Sequence, residues 1–345
     1  MSTAHPVLVE ATRGGIVESA HRGAYAVLDA DGGVLLAQGD IDRPIFPRSA
    51  VKLLQALPLV ESGSADALGL SDAELALACA SHHGEPGHAA TAAGMLAKIG
   101  LDHSALECGT HWPYEELSMR EMAAAGQTPT ALHNNCSGKH AGFACLACGL
   151  AGGAKGEGLR GFLSGYVQPE HAVMREVTAS LQSTTGYDLA HTASGTDGCS
   201  IPTYAIPLRH LARAFARVAS GQGLRPAQAA AAKRLRRAIA AEPWMVSGTA
   251  GFDTLAMRAL GERVCMKVGA EGVYCAAIPE LGLGLALKMD DGNNARACEV
   301  AVAGLLLKLL PNLSDDEAAP LRRQSQLPLR NRRGLEVGRL RAVGI

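Results

Sequence analysis

The chain has 345 residues, 48% apolar and 19% charged, with 32 basic side chains against 33 acidic ones and a formal net charge of −1. So much apolar content excludes a mainly disordered chain, and the charge balance excludes the broad basic field with which nucleic-acid and membrane-surface binders neutralise phosphate. No apolar run approaches the ~20 residues of a bilayer span, and the first residues carry no secretory pattern, so a cytoplasmic protein with reduced thiols at its nine cysteines is expected.

In chain order, 6–10, 22–29 and 34–39 read as strands, the last two joined by the turn Asp31-Gly32-Gly33. The spacing then turns helical, with segments at 49–61, 71–80, 86–100, 115–125, 138–150, 170–185, 204–219 and 226–241. Ser71-Asp72-Ala73-Glu74 is a capping box at one of these starts. Residues 151–158 lack the Gly-Lys-Ser/Thr of a phosphate loop and read as a mobile loop. Strand spacing returns at 263–268, 272–278 and 283–289, and a last helix follows at about 294–310. Strands at both ends of a helical middle predict an α+β fold in a single domain spanning 1–345. Its antiparallel sheet comes from about 5–48 and 252–310, with flanking helices and a helical lobe over about 49–245. Residues 321–345 hold seven arginines against Glu336 alone and read as a solvated basic tail pairing with the acidic body.

Ser49 and Lys52 stand one helical turn apart, where a lysine can take the proton of a serine nucleophile. On that motif alone, Ser49 reads as a helix N-cap beside a solvated lysine. Two further elements, Ser81-His82-His83 and Lys267-Val268-Gly269, follow in the order used by penicillin-recognising serine enzymes. Ser49 with Lys52 and Ser81 with Lys267 then form a possible double Ser/Lys constellation. In 134–140 a loop containing Cys136 enters a helix, where free N–H groups favour a thiolate. Cys199, in a Gly-rich turn, supplies a second thiol, and spacing adds His140 as a third zinc ligand. Cys145 and Cys148 read as small buried hydrophobes, and His82, His83, Glu85 and His88 as loop residues lining a polar cleft. The sparse aromatics offer no stacking platform for single-stranded nucleic acid.

At these residues, and at 9–10, 46–58, 78–86, 108–113, 134–142, 197–203, 267–275 and 287–292, the sequence resembles the class 3, rhizobial-type L-asparaginases of the asparaginase II family. The resemblance implies a fold like that of serine β-lactamases and penicillin-binding proteins, and an amidohydrolase converting L-asparagine to L-aspartate and ammonia. It makes Ser49 the nucleophile with Lys52 as its base, and Ser81 with Lys267 a second tandem. It puts Arg48, Asp197 and His140 around the substrate, and zinc on Cys136, Lys139 and Cys199, with Lys139 displacing His140 from the ligand set. A homodimer is implied as well. Residues 248–253 lack the arginine expected before Phe252, and His83 stands where a smaller polar residue is expected. Two other functions fit the residues: a penicillin-recognising serine hydrolase, and a zinc-dependent amino-acid sensor without turnover. Neither nucleic acid nor a membrane is an expected partner.

Overall fold

The computed structural model describes residues 4–345, which divide into two compact units. One comprises the chain up to Ala50, Ile206–Ser220 and Leu255–Ile345; the other comprises Val51–Ala205 and Gly221–Thr254. Among the described residues the strands in chain order are β1 (Val7–Arg13), β2 (Ile16–Leu28), β3 (Val34–Gln38), β4 (Pro44–Ile45), β5 (Ser194–Thr196), β6 (Pro202–Tyr204), β7 (Ile206–Pro207), β8 (Cys265–Gly269), β9 (Val273–Ile278), β10 (Leu283–Met289), β11 (Pro328–Arg330) and β12 (Glu336–Ala342).

The first unit is built on an antiparallel sheet in the order β11-β12-β1-β2-β10-β9-β8, with β3 paired to β2 beside that row. In its middle, Leu285 faces Val27 on one side and Ala276 on the other, all three fully buried. Helix Leu208–Ser220 packs on β10, β2 and β9 with Leu208, Leu211, Ala212, Phe215 and Ala219 inward at helical spacing. All six residues of β9 are buried, so this strand reads as an apolar run rather than an alternation.

This is the α+β sheet of N- and C-terminal strands that the sequence predicts, with two corrections. The segment 321–345 is not a solvated tail: it finishes helix Asp315–Ser325 and supplies β11 and β12, and β12 pairs with β1 from Ala342 on Val9 to Leu340 on Ala11. Arginines at the rim hid a strand whose one fully buried side chain is Leu340; Arg341 pairs with Glu10 at 2.7 Å and Arg339 with Glu336 at 2.7 Å. The helix expected at 204–219 begins at Leu208, after β7, and belongs to the sheet unit rather than to the helical region. The supposed mobile loop 151–158 also ends in an ordered element, since helix Gly156–Leu163 starts inside it.

The second unit centres on helix Ser137–Leu150, buried on every side from Ser137 to Cys148, as an apolar helix without a polar face must be. Helices Lys52–Glu61, Asp72–Ala78, Pro86–Lys98 and Ala172–Thr185 pack around it. Gly138 permits the closest approach: a Cβ there would stand 2.4 Å from the Leu77 carbonyl oxygen. That contact sets the first turn of the central helix against the end of Asp72–Ala78, next to Ala80 and Ser81. The capping box at Ser71 forms as expected, with Glu74 reaching back to the Ser71 N–H. Among the described residues no helix is long and apolar enough to cross a membrane.

Candidate active site

Helix Lys52–Glu61 begins with a lysine that is completely buried. Its Nζ donates to the Ala80 carbonyl at 2.5 Å and lies 3.0 Å from Ser81 Oγ and 3.1 Å from Cys136 Sγ. Three polar partners surround the buried amine, so its desolvation is compensated. Cys136 is held at the mouth of helix Ser137–Leu150 by Asn134, whose Oδ1 accepts the Cys136 N–H at 2.8 Å.

One turn into that helix, Lys139 Nζ donates to Cys199 Sγ at 2.9 Å. Cys199 comes from the turn between β5 and β6, where Ser200 has a φ of 75°, a conformation costly for a residue with a Cβ. A hydrogen bond links the two cysteines. It holds the Cys136 thiol well below its usual range against the pull of burial, and the Lys52 and Lys139 charges act in the same direction. The same bond, with burial, pushes Cys199 up, so the two thiols titrate as a pair. Burial alone would lower Lys139, but the sulfur charges of Cys199 and Cys136 outweigh it and leave the amine raised. Asp197 adds to that field, and its Oδ2 accepts from Cys199 at 3.8 Å.

His140 is fully buried and neutral, pushed well below its usual range by burial and then by the charges of Lys139 and Lys52. Its Nδ1 lies 2.7 Å from the Tyr166 hydroxyl, which accepts the Glu107 N–H. The His140 Nε2 finds no hydrogen-bond partner. Spacing made His140 a metal ligand; its Nδ1 is engaged by Tyr166 instead. Sequence reasoning missed Tyr166 altogether, because its partner lies 26 positions away and no local pattern announces it.

His82 and His88 are not cleft-lining residues: both are fully buried and stack in a column with Trp244, at 4.9 Å and 4.0 Å between ring centroids. His82 accepts the Gly84 N–H at Nδ1 and donates from Nε2 to Ser137 Oγ at 2.9 Å. A cavity of about 780 Å³ in this unit is lined by Thr178, Gln182, Ser200 and Tyr204 and holds no titratable cluster. The densest group of buried polar side chains in this unit is the one around Lys52.

The remaining predicted residues, Arg48, Ser49 and Lys267, belong to the sheet unit. A single 3-10 turn, Arg48–Val51, carries Ser49, which is half-buried, and Arg48 has a φ of 51°. Lys267, in β8, is buried and donates to the Val268 carbonyl at 2.7 Å. Gly269, two residues on, leaves room for the turn: a Cβ there would stand 2.6 Å from the Pro47 oxygen and 2.9 Å from the Ala50 nitrogen. The Ser49 turn and the Lys267 strand are thus packed backbone to backbone.

Residues 9–342 match the family model described as L-asparaginase II. The chain belongs to this L-asparaginase II family. Membership supports asparaginase-type amidohydrolase activity on a small-molecule substrate. No curated protein sequence gives a match. Among solved structures, this L-asparaginase II member is similar to a β-lactamase from Mycobacterium bovis, with 13% identity and a TM-score of 0.39 over 83% of this chain and 94% of that one. It is also similar to Mglu, solved in its Tris and glutamate form, with 16% identity and a TM-score of 0.38 over 90% of this chain and 65% of that one.

Proposed function

We propose that the protein hydrolyses L-asparagine to L-aspartate and ammonia through an acyl-enzyme on Ser49. Lys52, reacting as the neutral amine, takes the Ser49 proton as Oγ attacks the side-chain amide carbon. The same lysine returns that proton to the departing amine, which leaves as ammonia. Water then attacks the aspartyl ester, Lys52 takes its proton, and Ser49 is regenerated. Ser81 and Lys267 form the second tandem, and Arg48, Asp197 and His140 bind the amino-acid end. The observation that carries the reading is the buried Lys52 amine hydrogen-bonded to a serine hydroxyl inside a chain of this family. Supporting the nucleophile are the left-handed backbone of Arg48 immediately before Ser49 and the packing of that turn on the Lys267 strand. Ammonia release from L-asparagine and L-glutamine, with Ser49→Ala alongside, tests it; normal turnover by the variant would sink the assignment.

The 3.0 Å contact between Lys52 and Ser81 favours a second reading, in which Ser81 is the nucleophile and Lys52 its base. Trapping the ester at low pH and locating the modified serine by mass spectrometry separates the two.

Zinc belongs to the same proposal. Among the described residues no group of three or more His, Cys, Asp and Glu gathers to hold a metal, but Cys136 and Cys199 with Lys139 give two thiols and an amine, a soft donor set that suits zinc. Bound there, zinc would supply the positive charge that ionises both sulfurs. Metal analysis of protein purified without added zinc, compared with Cys136→Ser, checks it: equal contents exclude Cys136 as a ligand. The protein is further proposed to act in the cytoplasm as a homodimer.

A further inference from the structure

The segment 108–115 has no part in the chemistry above, yet it is tied to both sides of the Lys52 cluster. Asn134 Nδ2 donates to the carbonyls of Cys108 at 2.8 Å and Gly109 at 3.2 Å. At the other end, the His83 carbonyl accepts the N–H of Tyr114 at 2.8 Å and of Glu115 at 3.1 Å. Between these anchors His111 donates from Nδ1 to the Trp112 carbonyl at 2.7 Å and accepts the Asn135 N–H at Nε2, 2.9 Å away. The ring is therefore neutral with its proton on Nδ1. It stacks on Tyr114, with centroids 4.5 Å apart and planes 12° from parallel. Tyr114 is 62% exposed; burial of part of the ring and the Cys136 charge raise its hydroxyl above the usual range, so it remains a hydrogen-bond donor.

We infer that Tyr114 is a substrate-binding residue of the Lys52–Ser81 site, donating to the carboxylate of the amino-acid substrate, and that His111 is its positioning residue. The inference rests on the amidohydrolase reading. His111 acts through two attachments, the stack that orients the phenol and the bond to Asn135 that fixes the ring to the Cys136 turn. A polar group placed this way contributes to binding in the ground state and the transition state alike, so its loss appears in KM rather than kcat.

Steady-state ammonia release, calorimetric binding of L-aspartate and amide hydrogen exchange at Asn135 are measured on the full chain and three variants. Tyr114→Phe keeps the stack and removes the donor; it is expected to raise KM roughly tenfold with kcat within about threefold. His111→Asn keeps a donor near Nδ1 but reaches no further, so it should show the same rise and lose the exchange protection of Asn135. His111→Gln puts an oxygen near the Nε2 position and should restore both. Unchanged KM in Tyr114→Phe and His111→Asn, with normal turnover in the wild type, overturns the inference and leaves the proposed function standing. A fall in kcat accompanying the rise in KM, which His111→Gln does not rescue, also overturns it, because a purely structural loop behaves that way. A wild type that neither releases ammonia nor binds L-aspartate removes the function itself, and the substrate role of Tyr114 with it.

Discussion

In the sheet unit, β9 buries six residues without one charge, and the charged groups pair at the rim, as Arg263 does with Glu280 and Glu317; Lys267 and Arg217 are buried exceptions. The helical unit does the opposite. Lys52, His82 and His140 are fully buried there and Lys139 is 2% exposed, all within the turns around one helix. A buried ion costs several kcal/mol before its partners offset the loss, so an interior of this kind lowers stability unless every group is matched. Most are matched here, while Nε2 of His140 and Nδ1 of His88 are among the buried atoms left without a hydrogen-bond partner. The sheet unit keeps a mostly apolar interior, and the helical unit holds most of the buried polar side chains.

Replacing Ser49 with alanine should lower kcat by about 10³-fold or more while the thermal midpoint holds. Lys52→Met should cost about 10² to 10⁴ in kcat, read from the same ammonia assay. Leu285→Ala, in the middle of the sheet, should behave in the reverse sense. It is expected to remove about 2 to 5 kcal/mol of stability in a urea titration and leave kcat of the folded fraction within about threefold. A sheet substitution of this kind that abolished turnover without unfolding would break the division of labour.

Acid should affect the helical unit selectively. Burial holds His82 and His140 well below their usual value, so the unfolded chain takes up their protons first as pH falls. Their contribution is complete above about pH 6.5 and is lost below it, by about 1.4 kcal/mol per histidine per pH unit. Both tryptophans, Trp112 and Trp244, lie in this unit, so their fluorescence reports its unfolding directly. A denaturation midpoint that stays level from pH 7 to pH 5 would contradict neutral, buried histidines. The smallest effect belongs to the rim, where Arg341→Ala should cost less than about 1 kcal/mol despite its contact with Glu10.

Most of the sheet was legible because its strands carry apolar runs closed by glycine turns. The strand at 336–342 was not, because its arginines masked the pairing with β1. In the helical unit the elements could be read but their partners could not. Cys136 announces itself by position, at the mouth of a helix after an asparagine. Nothing local indicates that Lys52 meets Ser81 29 positions on, or that Lys139 meets Cys199 60 positions on. Those contacts are set by helix packing, above all by the close approach at Gly138. For His140, spacing pointed to a metal, whereas a tyrosine 26 residues away already occupies the nitrogen in question.

The pairing of Val9 with Ala342 also orders events during synthesis. The helical unit is fully translated once Thr254 has emerged, but one edge of β1 stays open until the last strand arrives, roughly 5 to 20 s later at ordinary elongation rates. Throughout that interval a nascent chain presents an unpaired strand, the kind of edge on which other chains aggregate. Ribosome stalling or truncation between those two points would therefore leave a finished helical unit attached to an adhesive, incomplete sheet.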